Sequence, residues 1–243
     1  MSGPGRSPDD ATRAPPGATR RATTGDSGRL VRVWDLPTRL FHWLAAALVV
    51  AAYVTWRLNW MDWHGWVGEA VLALVLWRLL WGFLGSDTAR FAYFLASPRA
   101  ALHHLAQIRQ REPDRDAGHN PAGGWMVLLL LALLLGETLT GIYVANDVAD
   151  QGPLTELTPA PLANLISALH RLLWQALLAA VILHLLATYA YFALKRHNLL
   201  LPMVTGRKRL PDSVPEPRIA GLARALAAFL GAAAVAAALA NLL

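Results

Sequence analysis

The stretch LISALHRLLWQALLAAVILHLLATYAYFAL, residues 165–194, contains a single Lys, Arg, Asp or Glu, Arg171. A helix of about 20 mostly apolar residues is long enough to cross the hydrocarbon core of a bilayer. Lipid offers no hydrogen-bond partner to the backbone, so such a segment crosses the bilayer as a continuous helix. The stretch therefore predicts a transmembrane helix, and with it the class of fold.

Four other segments share this apolar character. Three are strong candidates for spans, at residues 40–56, 63–84 and 124–144, and a weaker, alanine-rich one covers residues 219–243. We predict an all-α integral membrane protein, in which a four-helix transmembrane bundle is followed by a fifth, C-terminal transmembrane helix. For that fifth helix, a position on the membrane surface is the alternative.

The composition agrees with a membrane protein and excludes several kinds of chemistry. The chain has 243 residues, of which 55% are hydrophobic and 16% are charged, whereas soluble domains average about 45–50% and about 25%. There is no cysteine. Disulfides, thiolate metal sites, iron–sulfur clusters and the covalent attachment of haem c are therefore excluded.

The positive charge is distributed by loop. The tail up to Arg39 carries seven Lys or Arg, the first loop one, the second loop five, the third loop none, and the segment after the fourth span six. Because cytoplasmic loops are enriched in Lys and Arg, this alternation predicts a multi-pass membrane protein with a cytoplasmic N-terminus. Topology and anionic lipid then explain the net charge of +6, and no nucleic-acid partner is expected.

Four histidines lie in or at the ends of the predicted spans, where ionisable residues are functional candidates by default. His170 and His184 are fourteen residues apart, which places them within about 40° of one face and about 21 Å apart along one helix. His42 begins the first span inside, and His64 begins the second span outside. The geometry predicts one pair at each depth: His42 with His184, and His64 with His170.

Such pairs suit an iron porphyrin, which two imidazoles from facing helices can ligate from both sides. Interfacial histidines, packing, a proton path and a zinc site are the alternatives. Zinc is disfavoured because it needs four ligands at one point. A proton or metal transporter subunit that uses these histidines without haem remains the main alternative function, and a membrane anchor that carries no electrons is the third.

Four motifs resemble one family, in order and spacing. They are VRVWDLPTRLFHW (31–43), HGWVGEAVLALVLWRLLWGFLGS (64–86), GHNPAGGWM (118–126) and the stretch from LHRLLWQALLAAVILH (169–184) to KRHNLLLPMVTGRKRLP (195–211). The chain resembles the bacterial cytochrome b561 and nickel-iron hydrogenase b-type cytochrome family. The resemblance implies two haems b, ligated by His42, His64, His170 and His184. It also implies electron transfer between a membrane quinone and a hydrogenase, a dehydrogenase or a c-type cytochrome.

The resulting division of the chain has three parts: a disordered cytoplasmic tail at 1–30, a two-haem transmembrane domain at 31–211, and a linker with the alanine-rich helix at 212–243. No residue is predicted to be catalytic. Oxidation or reduction of a quinone is expected only together with the partner protein. The sequence does not indicate the oligomeric state.

Several other residues are candidates for contacts with the cofactors. Arg78 and Arg171 could pair with haem propionates, although snorkelling to lipid headgroups is the favoured interpretation for Arg78. Asn120 fits a helix N-cap before Pro121. The resemblance makes His119 and Asn120 candidates for quinone contacts, and His119 could carry the coupled proton because histidine titrates near neutrality.

Two further features inside the spans remain ambiguous. Glu137 lies in an apolar run, where it is either a neutral, hydrogen-bonded acid or part of a proton relay. The glycines of the spans, among them Gly65, Gly68, Gly136 and Gly141, either let helices approach closely or leave room for a flat macrocycle.

Overall fold

The computed structural model describes residues 28–110, 114–144 and 159–241. Within these ranges the chain forms eight α-helices and two short strands. In chain order they are β1 (Arg29–Arg32), α1 (Leu36–Arg57), α2 (Met61–Leu84), α3 (Phe91–Phe94), α4 (Pro98–Ala106), α5 (Pro121–Gly141), α6 (Ala160–Ala190), α7 (Leu200–Thr205), β2 (Arg207–Leu210) and α8 (Leu222–Asn241). A 3₁₀ turn follows α2 at Asp87–Ala89, and a π-helical turn, Tyr191–Lys195, continues α6.

Five of these helices are long and apolar enough to cross a membrane: α1, α2, α5, α6 together with its π-helical turn, and α8. The predicted helical membrane bundle is confirmed. The predicted bounds differ at the helix starts, since α1 begins at Leu36 and α5 at Pro121. Both helices start at a capping residue followed by proline within the first two positions, and this local chemistry extends a helix beyond its apolar run.

The helix α2 occupies the centre of the bundle. It packs against α1, α5 and α8, and α5 packs in turn against α6. The core between these helices includes Val75 of α2, Leu131 of α5 and Leu177 of α6. We call the end where α1 begins the basic end; α2 and α6 finish there, and α5 starts there. The other end contains the α1–α2 turn and is called the opposite end.

A buried carboxylate fixes the start of α1. Asp35 is 1% exposed; its Oδ1 accepts a hydrogen bond from the Thr38 amide at 2.6 Å, and its Oδ2 accepts one from Trp81 Nε1 at 3.1 Å. The first bond caps α1, and the second ties this cap to α2. One side chain therefore sets both the first residue of α1 and its position against α2.

We predict that Asp35→Ala lowers the free energy of unfolding by about 2 kcal/mol, because the cap is lost and the Trp81 indole N–H loses its acceptor. Asp35→Asn keeps one acceptor and should lose less. Ser97, which caps α4 through the Ala100 amide at an exposed site, provides a matched control, and Ser97→Ala should have a smaller effect than Asp35→Ala. Thermal unfolding in detergent measures all three, and equal losses for the two alanine variants would contradict the prediction.

The two strands form an antiparallel ribbon at the basic end, in which Arg29 pairs with Leu210 and Arg32 with Arg207. No strand is predicted from the sequence, and Arg29 and Leu30 are predicted to lie in a disordered tail, whereas both belong to β1. The ribbon is anchored by Val31 and Leu210, which are buried. The remainder of the predicted tail, residues 1–27, lies outside the described residues.

The C-terminal helix α8 packs on α2. Trp77 Nε1 of α2 donates a hydrogen bond to the Ala225 main-chain oxygen at 3.0 Å, and Trp77, Trp81, Ala225 and Ala232 form one buried cluster. The alanines let the backbone of α8 approach the two indoles closely. The weaker, alanine-rich segment is therefore an integral part of the bundle.

Candidate functional site

At the basic end, the structure brings His42 of α1 and His184 of α6 together. Their ring centroids are 6.3 Å apart, with an angle of 56° between the ring planes. Two imidazoles that bind one metal atom from opposite sides, at nitrogen–metal distances of about 2 Å, have centroids about 6 Å apart. The separation thus matches a pair that shares one metal atom.

Several polar atoms at the basic end are buried without a hydrogen-bond partner in the described part of the chain. They include Nδ1 of His42, Nδ1 of His119, one terminal guanidinium nitrogen of Arg78, Nε of Arg39 and Oγ1 of Thr38. A buried donor without a partner costs about 1–3 kcal/mol, so a concentration of such atoms indicates a site that accepts a polar ligand. The carboxylates of a haem would supply acceptors of this kind.

Arg78 is buried, which contradicts the predicted snorkelling to lipid headgroups. Snorkelling requires that the guanidinium reach the headgroups, but Arg78 is only 2% exposed. Its guanidinium carbon lies 5.4 Å from the centre of the Phe91 ring, and Phe91 belongs to the loop helix α3, which covers this side of α2. The snorkelling interpretation is wrong, while a propionate contact stays a prediction. Arg171 is exposed on α6 next to His170, and its role also stays a prediction.

His119 sits beside the His42–His184 pair between two aromatic rings. Its ring centroid is 4.7 Å from that of Trp34 and 4.7 Å from that of Phe94. Burial, reinforced by the positive charge of Arg78 and by His184 and His42, lowers the pKa of His119 to about 3. The prediction that His119 titrates near neutrality is therefore wrong, since at neutral pH the ring is uncharged.

Asn120 caps α5, as its position before Pro121 predicts. Its Oδ1 accepts a hydrogen bond from the Gly123 amide at 2.7 Å, and its side chain also bonds to Tyr191. Tyr191 in turn lies 2.7 Å from His104 Nε2 through its hydroxyl. The side chain of Asn120 is therefore engaged within the protein, and a quinone contact by this residue stays a prediction.

The opposite end holds the other two histidines. His64 Nδ1 lies 2.9 Å from the main-chain oxygen of Ala52 in α1. A carbonyl only accepts hydrogen bonds, so Nδ1 carries the proton and Nε2 keeps its lone pair. This arrangement, with one ring nitrogen bonded to a backbone carbonyl and the other available, is typical of histidines that ligate metals.

His170 makes a similar contact through Nδ1, whereas its Nε2 faces a carboxyl group. Its Nδ1 lies 3.0 Å from the main-chain oxygen of Glu137 and 3.1 Å from the hydroxyl oxygen of Thr140. Its Nε2 lies 3.3 Å from Oε1 of the Glu137 carboxyl group. His64 is close enough to His170 for the two imidazole rings to interact electrostatically. The structure thus places His64 and His170 at one end and His42 and His184 at the other, while their role as ligands stays a prediction.

The glycines fall into two groups. A Cβ atom added to Gly65 or Gly68 would meet no atom within 4 Å, whereas one added to Gly141 would lie 3.3 Å from His170 and one added to Gly136 would lie 3.2 Å from Leu173. Gly136 and Gly141 therefore permit close approach of α5 and α6. Gly68 lies one turn after His64, so open space adjoins that histidine.

The histidine pairs stand apart from any larger ligand group. Across residues 28–110, 114–144 and 159–241, no group of three or more His, Cys, Asp or Glu side chains could hold a metal ion.

A surface network of charged groups closes the basic end beside His119. Asp114 forms an ion pair with Lys208 of β2, in which Oδ2 lies 2.6 Å from Nζ. The same oxygen lies 3.6 Å from Nδ1 of His197. Lys208 also donates to the main-chain oxygen of Asp116 at 2.9 Å. Burial, followed by the neighbouring Asp114, raises the pKa of the Asp116 carboxyl group above its usual value.

We predict opposite effects for these two aspartates. A carboxyl group with a raised pKa in the folded state binds protons more tightly there, so its ionisation destabilises the fold once the pH exceeds the unfolded value of 3.8. Asp116→Asn should therefore raise the unfolding temperature at pH 7 and have no such effect below pH 3.8. Asp114→Asn should lower the unfolding temperature at pH 7, because Lys208 loses its partner. Thermal unfolding at both pH values checks the signs, and destabilisation by Asp116→Asn at pH 7 would refute the assignment.

Sequence reasoning did not find several residues of these sites. Trp34 and Phe94 pack against His119. Trp34 lies within the motif at residues 31–43 but was given no role there, and Phe94 lies in a segment without a recognised motif. Thr140, four residues after Gly136, could have been found from its spacing, because it shares a helix face with the glycine that admits α6.

A membrane bundle in which facing helices bring histidines together at two depths is the architecture of a membrane-bound b-type cytochrome. The chain belongs to the prokaryotic cytochrome b561 family, whose model matches residues 33–206. It is thus a multi-pass b-type cytochrome that takes part in electron transfer and carries b-type haem.

Two curated relatives share the same description, a probable Ni/Fe-hydrogenase B-type cytochrome subunit. The protein from Bradyrhizobium diazoefficiens is 24% identical over 218 residues, covering 75% of this chain and 87% of the relative. The protein from Rhodobacter capsulatus is 21% identical over 237 residues, covering 84% of this chain and 88% of the relative. No solved structure matches the chain.

Proposed function

We propose that this protein holds two haems b and transfers electrons across the bacterial inner membrane between a quinone and a partner redox protein. The observation that supports this function is the arrangement of four histidines as two groups at opposite ends of the bundle. One haem would be held by His42 and His184, and the other by His64 and His170. A b-type haem supplies one-electron chemistry, because its iron changes between the ferric and ferrous states.

The residues around each group support this assignment by the contacts they make. Ala52 and Glu137 accept hydrogen bonds on their main-chain oxygens and thereby orient His64 and His170. At the basic end, Arg78 has a buried guanidinium nitrogen that needs an acceptor. We assign it to a propionate of the haem at His42 and His184.

A positive charge beside a haem stabilises the ferrous form relative to the ferric form, because ferrous iron carries one positive charge fewer. Arg78 lies deep in the bundle, where water does not screen its charge. We therefore assign two roles to its guanidinium group: it neutralises a propionate, and it raises the midpoint potential of the haem at the basic end.

The partner and the orientation are part of the proposal. The two relatives are described as probable hydrogenase cytochrome subunits, so a nickel-iron hydrogenase is the partner we favour over a dehydrogenase or a c-type cytochrome. The alternation of Lys and Arg between loops supports an N-terminus in the cytoplasm. The basic end then faces the cytoplasm, and the haem at His64 and His170 lies near the outer surface, where electrons would be exchanged with the partner.

The quinone would react at the basic end. An open groove of about 580 Å³ lies there, and its lining includes His119, Tyr93, Gly118 and Val214. His119 contributes to this groove and also adjoins the His42–His184 pair. Its neutral ring can donate or accept one hydrogen bond. We propose that His119 binds a quinone carbonyl oxygen and does not carry the proton.

The division of the chain follows from this assignment. Residues 31–211 would form the two-haem domain, with residues 1–30 as a cytoplasmic tail that the ribbon shortens by two residues. Residues 212–243 would form a linker and a helix that completes the bundle around α2.

We predict that the purified full-length protein contains two haems b per chain, measured by reduced-minus-oxidised absorption and by haem quantification. His42→Ala and His64→Ala should each remove one haem, because each would leave one site with a single histidine to hold the iron. His103, an exposed histidine of α4, provides the control, and His103→Ala should retain both haems. Absence of haem in protein from cells able to supply it would favour the transporter alternative.

We predict that His119→Leu retains both haems and lowers the rate of haem reduction by a short-chain quinol about tenfold, the loss expected for one hydrogen bond. Reduction by dithionite, which needs no quinone site, should be unchanged. His103→Leu again serves as the control. An unchanged rate with quinol would rule out His119 as the quinone ligand without affecting the assignment of the haems.

A further inference from the structure

The β1–β2 ribbon has two faces that differ in how their charges are neutralised. On one face, Arg29 forms an ion pair with Glu216, and Lys208 forms one with Asp114. Val31 and Leu210, which lie on this face, are buried against Trp34 and Ala117. This face is therefore packed onto the protein, and both of its cations have acidic partners.

The other face is exposed and carries three arginines. In an antiparallel pair, directly opposed residues point to the same side. The register pairs Arg32 with Arg207 and Leu30 with Arg209, and all four residues are exposed. Within the described part of the chain, the side chains of these three arginines form no ion pair and no hydrogen bond.

This arrangement is unfavourable in the isolated protein. Directly opposed residues of a ribbon have Cβ atoms about 5 Å apart, and diagonal neighbours are about 7–8 Å apart, so like charges in these positions repel each other. Arg32 and Arg207 are directly opposed, and Arg209 lies two residues along the same face. A phosphate group bound between guanidinium groups would remove this repulsion and accept several charge-assisted hydrogen bonds.

The position of the ribbon indicates where such a phosphate comes from. Arg32 precedes the first residue of α1, Leu36, by four residues, a reach of at most about 14 Å. The neighbouring helix α7 leads directly into β2 and exposes Leu200, Leu201 and Val204. A surface that combines exposed leucines with arginines at the end of a membrane span is typical of the interface between lipid and water.

We propose that the exposed face of the ribbon, formed by Leu30, Arg32, Arg207 and Arg209, binds the phosphate of an anionic phospholipid. The two strands flank the segment that matches the family, residues 33–206, so lipid binding here joins the two ends of the haem-binding domain. The bound phosphate neutralises the opposed arginines and holds the ribbon against the membrane surface. Leu30 contacts the adjoining apolar region of the lipid.

The test uses the full-length protein in a neutral detergent and native mass spectrometry of bound phosphatidylglycerol, with phosphatidylcholine as the zwitterionic comparison. The variant Arg32→Gln/Arg207→Gln/Arg209→Gln should bind phosphatidylglycerol at least about tenfold more weakly, since each basic residue near anionic lipid contributes to binding. The control variant Arg99→Gln/Arg109→Gln/Arg218→Gln removes the same charge from exposed arginines at the same end. It should change the affinity less than about twofold, because these arginines do not form one site.

A single substitution gives a second readout with a distinctive sign. Arg207→Gln removes one member of the opposed pair, so it should raise the unfolding temperature in detergent without lipid and reduce the further increase that phosphatidylglycerol produces. A purely structural role for Arg207 would instead lower the unfolding temperature in both conditions, and that result would overturn the proposal.

Three other outcomes would also overturn it. The first is equal loss of lipid binding in the ribbon variant and the control variant, which would indicate an effect of net charge alone. The second is equal retention of phosphatidylcholine and phosphatidylglycerol by the unmodified protein. The third is stabilisation by soluble glycerol phosphate that matches the effect of the lipid, which would identify the ligand as a free phosphate. Unchanged absorption spectra of the variants would establish that the haem-binding domain remains folded.

Discussion

A polar side chain inside a membrane bundle must find a partner, because the surrounding hydrocarbon supplies none. This constraint organises the interior of the protein. Asp35 is bonded to a backbone amide and to an indole, and His64 and His170 are bonded to main-chain oxygens of neighbouring helices. At the basic end this requirement is not met within the described part of the chain, where Arg78, His42 and nearby groups have buried atoms without partners. Satisfied polar groups therefore hold the helices in place, and unsatisfied ones surround the position where a ligand is expected.

The sequence predicts the helices and the depth of the histidines because both depend on regularities along a single helix. Apolar runs of sufficient length define the spans, and a spacing of fourteen residues places His170 and His184 at two depths whatever the neighbours are. The environment of Arg78 could not be obtained in this way. Its burial depends on Phe91, which is contributed by a short helix in the following loop, and no periodicity relates the two residues.

The same distinction explains why the strands were not predicted and why the predicted pKa of His119 was wrong. Four-residue strands have too little periodicity to be recognised, and β1 pairs with a segment that lies 175 or more positions later in the chain. The sequence alone predicts an ordinary histidine pKa for His119. In the structure, burial between Trp34 and Phe94 and the nearby charge of Arg78 lower that pKa. Contacts distant in the chain therefore decide the properties of the basic end, while local pattern decides the architecture.

The C-terminal helix α8 alters the character of the helix that it covers. Because α1, α5 and α8 pack around it, α2 is shielded from lipid on several sides. Arg78, Trp77 and Trp81 of α2 are therefore buried between helices and do not face lipid. The residues that match the family end before α8 begins. The chain thus carries its own insulating helix, and a partner protein that approaches within the membrane meets α8 on this flank instead of α2.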